Sequence, residues 1–454
     1  MIRFTTIKAL LWFFATLLVA LSFPLQVYTN SPYPSLLPYV VVVPIILLSP
    51  AFSKKDGSQE KKPRQSRNIG YMLAIYVAFL VTVLAGQTVL NQITPYEVLS
   101  ALVIYLLPVA FFEYFRRPGR DREIRGVLLA MVLAALIVGV FFGYDSYSKL
   151  ATGQPTEYAR RAFAYSTERS NQSEEEANRS RIEPRYRASG LLQHHSVSGA
   201  WIVFGAFASL ALVPSNRRII RRVIVLLFGT MLLLGLNFAS IVIFAITMFL
   251  FEFGGTSLLR SRFSAVIGNL VSFVVLVGIV SAVAFWVAGD EMSAFMSRLL
   301  VGQKNFALGL GADDPSKASQ IVAGLEAYLE HVLDFPPTLL VGDGFGSSSS
   351  QKGGDVGFVY SMTTFGLPFF LAIAFGLLRL IKFGIRQLRR TPVGLPTEEA
   401  GLDQGAILQF SICVMLLVLL DELHYSVWAA KAILPIMFFA LALYGRFIPA
   451  ARQR

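Results

Sequence analysis

The sequence predicts an all-α, polytopic integral membrane protein with about twelve transmembrane helices and two large loops on the non-cytoplasmic side. Three observations predict it. Hydrophobic residues make up 55% of the 454 residues and charged residues only 15%, whereas a soluble protein has about a quarter charged residues. The apolar residues form runs of about 20, the length that an α-helix needs to cross a bilayer. Lysine and arginine are concentrated in alternate short loops, which is the topology signal of membrane proteins.

The apolar runs place the helices along the chain. They lie at about 7–25, 36–52, 70–91, 98–115, 127–144, 191–213, 223–237, 240–253, 264–287, 357–381, 404–421 and 428–447. The seventh and eighth are separated only by a short polar spot and could form one helix. The first run follows Arg3 and Lys8 and has no small-residue cleavage site before Pro24. It is therefore predicted to remain as a helix and not to be removed as a signal peptide.

The lysines and arginines predict how these helices are oriented. Basic clusters lie at 54–67, 116–125, 217–222, 260–262, 382–390 and 446–454. The alternate short loops, 24–35 and 91–97, contain neither residue type. Because cytoplasmic loops carry the excess of Lys and Arg, both termini are predicted to be cytoplasmic. The same distribution accounts for the net charge of +12, so nucleic-acid binding is not expected.

Helices and loops together divide the chain into successive parts. These are N-terminal transmembrane helices at 1–144, a first large loop at 145–190, central transmembrane helices at 191–287, a second large loop with a surface helix at 288–356, and C-terminal transmembrane helices at 357–454. Long loops often carry function, and both of these contain many charged residues. We therefore expect an active or binding site that faces outward. The single cysteine, Cys413, excludes a disulfide within the chain.

The first large loop ends in arginines that lead into a pair of histidines. Arg185 and Arg187 precede His194 and His195, which lie at the predicted start of a helix. Guanidinium groups bind phosphate oxygens through paired hydrogen bonds, so these arginines are candidates for binding a lipid phosphate or pyrophosphate. The alternative is a solvated run of charges, since glutamates at 174–183 can pair with the arginines. No metal site is expected, because the histidines lack the spacing of zinc ligands.

The second large loop carries the remaining candidates. Arg298 is a further cation, and apolar residues at helical spacing predict an amphipathic helix at 317–333 that includes His331. Such a helix lies along a membrane surface or covers a cavity. The glycine-rich stretch at 339–346 predicts a tight turn and lacks the elements of a nucleotide-binding loop. Asp355 precedes the next helix, as its N-cap or as a general base at the mouth of a cavity.

Two segments resemble the O-antigen polymerase and ligase superfamily of Wzy-like and WaaL-like proteins. The family's Arg…Gly…His-Pro-Asn stretch is similar to Arg-Tyr-Arg-Ala-Ser-Gly-Leu-Leu-Gln-His-His-Ser at 185–196. Its Leu-x-Gly-x-Gly turn is similar to Leu-Val-Gly-Asp-Gly at 340–344. Asp355 stands where the ligases have a histidine, and Gly366 matches the glycine that follows eleven positions later. The resemblance therefore favours the exopolysaccharide polymerase branch.

The resemblance implies a metal-independent glycosyltransferase without a cofactor, at the periplasmic face of a bacterial inner membrane. Its substrate would be an oligosaccharide linked to undecaprenyl pyrophosphate, and its partners would be membrane lipids, a chain-length regulator and a flippase. The residues implied for the reaction are Asp355, His194, His195 and His331 as catalytic groups and Arg185, Arg187 and Arg298 as ligands of the pyrophosphate.

Two other functions stay open at this point. An O-antigen ligase would transfer the lipid-linked glycan to a different acceptor. A transporter or flippase would need polar groups near the middle of the bilayer, and Asn237, Asn269 and Gln409 are the few candidates. Because the residues suited to chemistry lie at the predicted outer face, the sequence favours an enzyme that faces outward.

Overall fold

The computed structural model describes the larger part of the predicted helical regions. The described residues are 4–48 except 32, then 77, 81, 84, 85 and 88, 108–169 except 153, 190–192, 195–248 except 215, 216, 236 and 237, 317–343, 357–388, 402–423 and 432–447. The helices are α1 Phe4–Thr29, α2 Leu37–Leu48, α3 Asp121–Thr152, α4 Glu157–Arg169, α5 His195–Leu212, α6 Arg218–Leu234, α7 Phe238–Met248, α8 Lys317–Asp334, α9 Thr338–Val341, α10 Gly357–Phe365, α11 Leu367–Leu388, α12 Gln404–Asp421 and α13 Leu434–Phe447. Residues 108–115 are also helical, and no strand occurs in these ranges. The predicted all-α class is confirmed for this part of the chain.

Four of these helices, α1, α3, α11 and α12, are long and apolar enough to cross a membrane. The apolar helices α5, α7 and α13 are shorter. Together they indicate a membrane protein, as the composition predicts. The helix predicted at 264–287 lies outside the described residues, and of the one predicted at 70–91 only isolated positions are described.

Helix α3 is longer at both ends than the helix predicted at 127–144. At its start, Asp121 and Glu123 lie in the first turn, where the partial positive charge of the helix terminus favours carboxylates. Near its other end, the buried carboxylate of Asp145 accepts hydrogen bonds from the backbone N–H and the hydroxyl of Thr156, at 3.0 and 2.8 Å. A prediction from hydropathy omits both extensions of the helix because they contain many polar residues. Helix α4 follows, inside the stretch predicted as the first large loop.

The helix predicted at 357–381 is two helices, α10 and α11, with a break at Gly366. This glycine has φ +84°, a left-handed conformation that other residues rarely adopt. A Cβ atom placed there would lie 2.4 Å from the carbonyl oxygen of Leu340. The break therefore arises where α9 crosses the chain too closely for any side chain. Similarly, α6 and α7 are separate helices, with a turn after α6 at Gly235.

The packed core lies where α5 meets α3, α6 and α12. At the crossing of α3 and α5, a Cβ atom on Gly205 would lie 2.1 Å from that of Ala135, so the two helices approach closely because the residue is glycine. On the other side of α3, the fully buried ring of Trp12 contacts Phe111 and Phe115, with centroids 4.8 and 4.6 Å away. Aromatic rings of this size contribute much of the buried area in such a core.

Most described basic residues collect at one end of the bundle. We call this end of the bundle the basic end. It contains the starts of helices α1, α3, α6 and α12 and the ends of helices α5, α11 and α13. Arg446 at the end of α13 pairs with Asp121 at the start of α3. Buried Arg221 donates from Nη1 to the carbonyl oxygens of Leu210 and Val213 at the end of α5, at 2.7 and 2.8 Å. The opposite, far end contains the end of α3, the start of α5, the end of α12, and helices α4 and α8 to α10.

We expect the Arg446→Met substitution to lower the stability of the folded chain by about 1.5–3 kcal/mol, the range for a hydrogen bond to a charged group. The pair with Asp121 joins the last described helix to α3, and the two side chains are only 13% and 8% exposed. The measurement is the thermal unfolding midpoint of the detergent-solubilised protein. The control is Arg161→Met, because Arg161 and Glu157 form a pair that is 57% and 69% exposed and such pairs contribute about 0–1 kcal/mol. Equal shifts in both variants would contradict the structural role of Arg446.

Candidate functional site

A group of short elements at the far end, α8, α9 and α10, builds a cluster of polar side chains. The predicted amphipathic helix is present as α8, and one face of it packs on α10, where Tyr328, Val359 and Met362 form a small buried core. Two prolines follow α8 and turn the chain into α9. The N–H of Phe335 donates to the carbonyl of His331 at 2.9 Å, and that of Thr338 to Phe335 at 3.1 Å. The turn therefore brings α9 back over the end of α8.

Two glycines, Gly342 and Gly366, determine the path of the chain after α9. Gly342 has φ +70°, and a Cβ atom there would lie 2.4 Å from the backbone carbonyl of Thr364. This is the same crossing at which Gly366 lies against Leu340. The next residue, Asp343, is held by its own backbone, since its N–H donates to the carbonyl of Thr363 at 2.7 Å. The glycines thus let the chain pass close to α10 and place Asp343 under the end of α8.

At this point His331, Thr338 and Asp343 come together. Nε2 of His331 is 2.5 Å from Oδ2 of Asp343, and the hydroxyl of Thr338 donates to Oδ1 at 2.5 Å. The same hydroxyl lies 3.5 Å from Nε2. The Asp343 side chain is 6% exposed and Thr338 is fully buried, whereas the His331 side chain is 20% exposed. The carboxylate is therefore enclosed, while the imidazole can be reached from outside.

This arrangement can support proton transfer. We assign the hydrogen on Nε2 because that nitrogen faces a carboxylate, so Nδ1 is left as the proton acceptor. A carboxylate in this position orients the imidazole and stabilises the imidazolium that forms when the ring takes a proton. Thr338 holds the carboxylate in place by occupying its other oxygen. The cluster has the parts of a general base with a positioning acid and a positioning hydroxyl.

Tyr328 is the other polar group beside the cluster. Its hydroxyl is buried and has no hydrogen-bond partner among the residues that the structure describes. Burial and the nearby charge of Asp343 both raise the pKa of Tyr328, so the phenol stays neutral. Its ring contributes instead to the apolar contact between α8 and α10.

Two more carboxylates lie at the end of α12, and one of them contacts α10. Glu422 accepts a hydrogen bond from the hydroxyl of Ser361 at 2.8 Å, and its carbonyl accepts the N–H of Phe358 at 2.7 Å. Asp421 is 1% exposed, and neither carboxylate oxygen has a partner within the described ranges. Buried carboxylates in an apolar bundle are costly and therefore candidates for function. No group of three His, Cys, Asp or Glu residues suited to a metal occurs in the part of the chain described.

Of the residues predicted for the site, the structure describes the side chain of His331 alone. His195 begins α5, at the far end of the bundle, but its side chain lies outside the described part. The others outside it are Asp355, His194, Arg185, Arg187 and Arg298. Helix α10 begins at Gly357, two residues after Asp355.

Asp343 and Thr338 were missed as site residues. The glycine-rich turn was predicted, and a carboxylate between its two glycines is the signal that could have pointed to Asp343. Nothing local indicates that this carboxylate meets a histidine twelve positions earlier. That contact depends on the close passage of α9 along α10.

We compared the chain with models of known protein families and with curated proteins, and neither comparison found a match.

Proposed function

We propose that this chain is a polymerase of polyprenyl-pyrophosphate-linked oligosaccharide repeat units, active in exopolysaccharide or O-antigen synthesis. The observation that carries the proposal is the contact of His331 with the enclosed carboxylate of Asp343 at the far end of an apolar helical bundle. It supplies a positioned base at the end where the outward-facing site was predicted. The resemblance of the segments at 185–196 and 340–344 to the polymerase and ligase superfamily supplies the substrate class.

The reaction that we propose needs a base and a stabiliser of negative charge. A hydroxyl of the acceptor unit gives its proton to Nδ1 of His331 while its oxygen bonds to the anomeric carbon of the donor sugar. The bond from that carbon to the pyrophosphate oxygen breaks, and undecaprenyl pyrophosphate leaves with the electron pair. Arg185, Arg187 and Arg298 are proposed to stabilise this charge, since guanidinium groups can do so without a metal. Asp355, just before α10, is proposed as a second base or as the group that orients the acceptor.

The proposed topology has about twelve spans, with both termini in the cytoplasm of a bacterial inner membrane. Segregation of charge along the bundle supports it. Lysines and arginines cluster at the basic end, as cytoplasmic ends do, and the far end would then face the periplasm. A chain-length regulator and a flippase are proposed as partners, and membrane lipids as the surroundings.

Glycan profiling of a deletion strain tests the proposal directly. We expect long polymer to disappear while a single repeat unit still reaches the cell surface. Full-length polymer that remains on the lipid carrier would instead indicate a ligase. Repeat units retained on the cytoplasmic leaflet would indicate a flippase. Either result would overturn the assignment as a polymerase.

We expect Arg187→Ala and Asp355→Ala each to abolish long polymer while the level of the membrane protein stays normal. Arg187→Ala removes a charge that is proposed to stabilise the leaving pyrophosphate. Asp355→Ala removes a proposed acid–base group. Chain length is read from a glycan gel and protein level from an immunoblot. Arg161→Ala is the matched control, because Arg161 is exposed on α4 and its ion pair is with Glu157, one turn away on the same helix. Wild-type chain lengths in both test variants would rule out the proposed roles of Arg187 and Asp355.

A further inference from the structure

Helix α8 has three distinct sides, and the first of them packs against protein. Leu325, Tyr328 and Val332 lie on this side, which covers Val359 and Met362 of α10. A helix that only covered the cluster would be polar over the rest of its surface. The remaining surface of α8 is not uniformly polar.

A second side of α8 is an exposed line of large apolar residues. At about 100° per residue, Val322, Leu329 and Leu333 fall within about 40° of one another, and we call this line the apolar ridge. All three are exposed, Leu333 to 80%. The third side, the acidic flank, carries Glu330 and Asp334, which are exposed about 80° and 120° around the helix from Val322, away from the protein. Apolar and charged residues are thus segregated on the outer surface of the helix.

The exposed apolar surface extends from α8 and α9 towards a predicted membrane span. Leu340 of α9 is exposed, and its carbonyl lies against Gly366, immediately before α11 begins. Helix α11 is apolar enough to cross a membrane, and only 22% of its most apolar window is buried within the protein. Its exposed residues include Leu371, Phe375 and Leu378, which share one face at helical spacing. Lipid is what covers such a face in a membrane span, and α9 lies at the edge of that span.

We propose that α8 and α9 lie in the interface of the bilayer, with the apolar ridge and Leu340 inserted among the lipids. The acidic third side then faces water, and the first side stays packed on α10. Interfacial helices bury their apolar face about 5–10 Å into the boundary between head groups and acyl chains. His331 lies on the side of the helix about 180° from Val322. The His331–Asp343 pair is therefore held about one helix diameter, roughly 10 Å, from the inserted ridge, at the level of lipid head groups.

The test measures the depth of single labels in a bilayer. Leu329→Cys and Leu333→Cys report on the ridge, and Glu330→Cys and Asp334→Cys report on the acidic flank. The native chain, whose sole cysteine Cys413 is 3% exposed, is the labelling blank. Each variant carries an environment-sensitive fluorophore in phosphatidylcholine vesicles. Quenching by a nitroxide attached to a shallow acyl-chain position is compared with quenching by aqueous iodide.

We expect the nitroxide to quench the two ridge labels at least twofold more than the two flank labels, and iodide to show the opposite order. Equal nitroxide quenching at all four positions would overturn the proposal. Ridge labels shielded from both quenchers would also overturn it, because a second protein surface would then cover the ridge. This measurement does not depend on glycan chemistry. A negative result would therefore not bear on the proposed polymerase reaction, which the activity experiments test separately.

Discussion

Replacement of His331 by glutamine, or of Asp343 by asparagine, is expected to lower the rate of repeat-unit joining about 10²–10⁴-fold, the usual contribution of general acid–base catalysis. Glutamine keeps polar atoms in the place of the imidazole but cannot take a proton. Asparagine keeps the size of Asp343 but removes the charge that would stabilise the imidazolium. The measurement is the rate of polymer formation by the purified protein in vesicles with lipid-linked repeat units.

Controls separate catalysis from folding in this experiment. Asp334→Asn changes an exposed carboxylate at the end of α8 and should leave the rate within about twofold, because exposed surface substitutions rarely matter. Thr338 is a positioning residue, and its hydroxyl donates to the Asp343 carboxylate at 2.5 Å. Thr338→Val should lower the rate by about 10- to 150-fold, the equivalent of about 1.5–3 kcal/mol for a hydrogen bond to a charged group. Thr338→Ser should restore it, since serine keeps the hydroxyl.

Unchanged rates in both the His331 and the Asp343 variants would remove this pair from the reaction. A loss of rate that follows the loss of folded protein would show a structural role only. The elution profile and thermal midpoint of each variant in detergent therefore accompany every rate. Rate loss with a normal profile is the result that supports proton transfer.

The Gly366→Ala substitution is expected to destabilise the protein by about 2–5 kcal/mol, through two separate costs. A non-glycine residue in the left-handed conformation costs about 1–2 kcal/mol, and crowding in a packed region costs about 1–3 kcal/mol. The crowding atoms are the backbone oxygen and carbon of Leu340, at 2.4 and 2.6 Å from the added Cβ. Backbone atoms cannot rotate away as a side chain can, so α9 must move from α10.

Gly119→Ala provides the matched control for this prediction. Gly119 has φ +70°, close to that of Gly366, but an added Cβ would meet nothing within 4 Å. Its substitution should therefore show only the conformational cost. The thermal midpoint and the fraction of monodisperse protein in detergent measure both variants. Equal losses would mean that the crossing of α9 and α10 relaxes easily. Since this crossing positions Asp343, the Gly366 variant should also lose activity.

Helix positions were predicted best where one physical property decided them. Helix α12 was predicted at 404–421 and runs over those residues, because an apolar run ends at polar residues on both sides. The surface helix was predicted at 317–333 and ends one residue later, because its apolar residues recur at helical spacing. Helix α3 was predicted too short, since its ends are stabilised by carboxylates that hydropathy counts against a membrane helix.

The candidate site was predicted only in part, for a related reason. His331 was singled out because histidine is rare in this chain and lies in a loop that carries charge. Asp343 was not singled out, because its importance comes from its contact with His331. That contact is possible because Gly342 and Gly366 let α9 pass close to α10. The predicted roles of Asp355, His194, His195 and the three arginines stay predictions, since their side chains lie outside the described residues.

Amino-acid composition and the period of apolar residues were sufficient to establish a helical membrane protein and an amphipathic surface helix. Both properties depend on interactions with solvent or lipid, which each segment makes by itself. The break at Gly366, the Arg446–Asp121 pair and the His331–Asp343 contact could be known only from the folded chain. They depend on close approach between separate helices and turns, and such contacts are set by packing against neighbours.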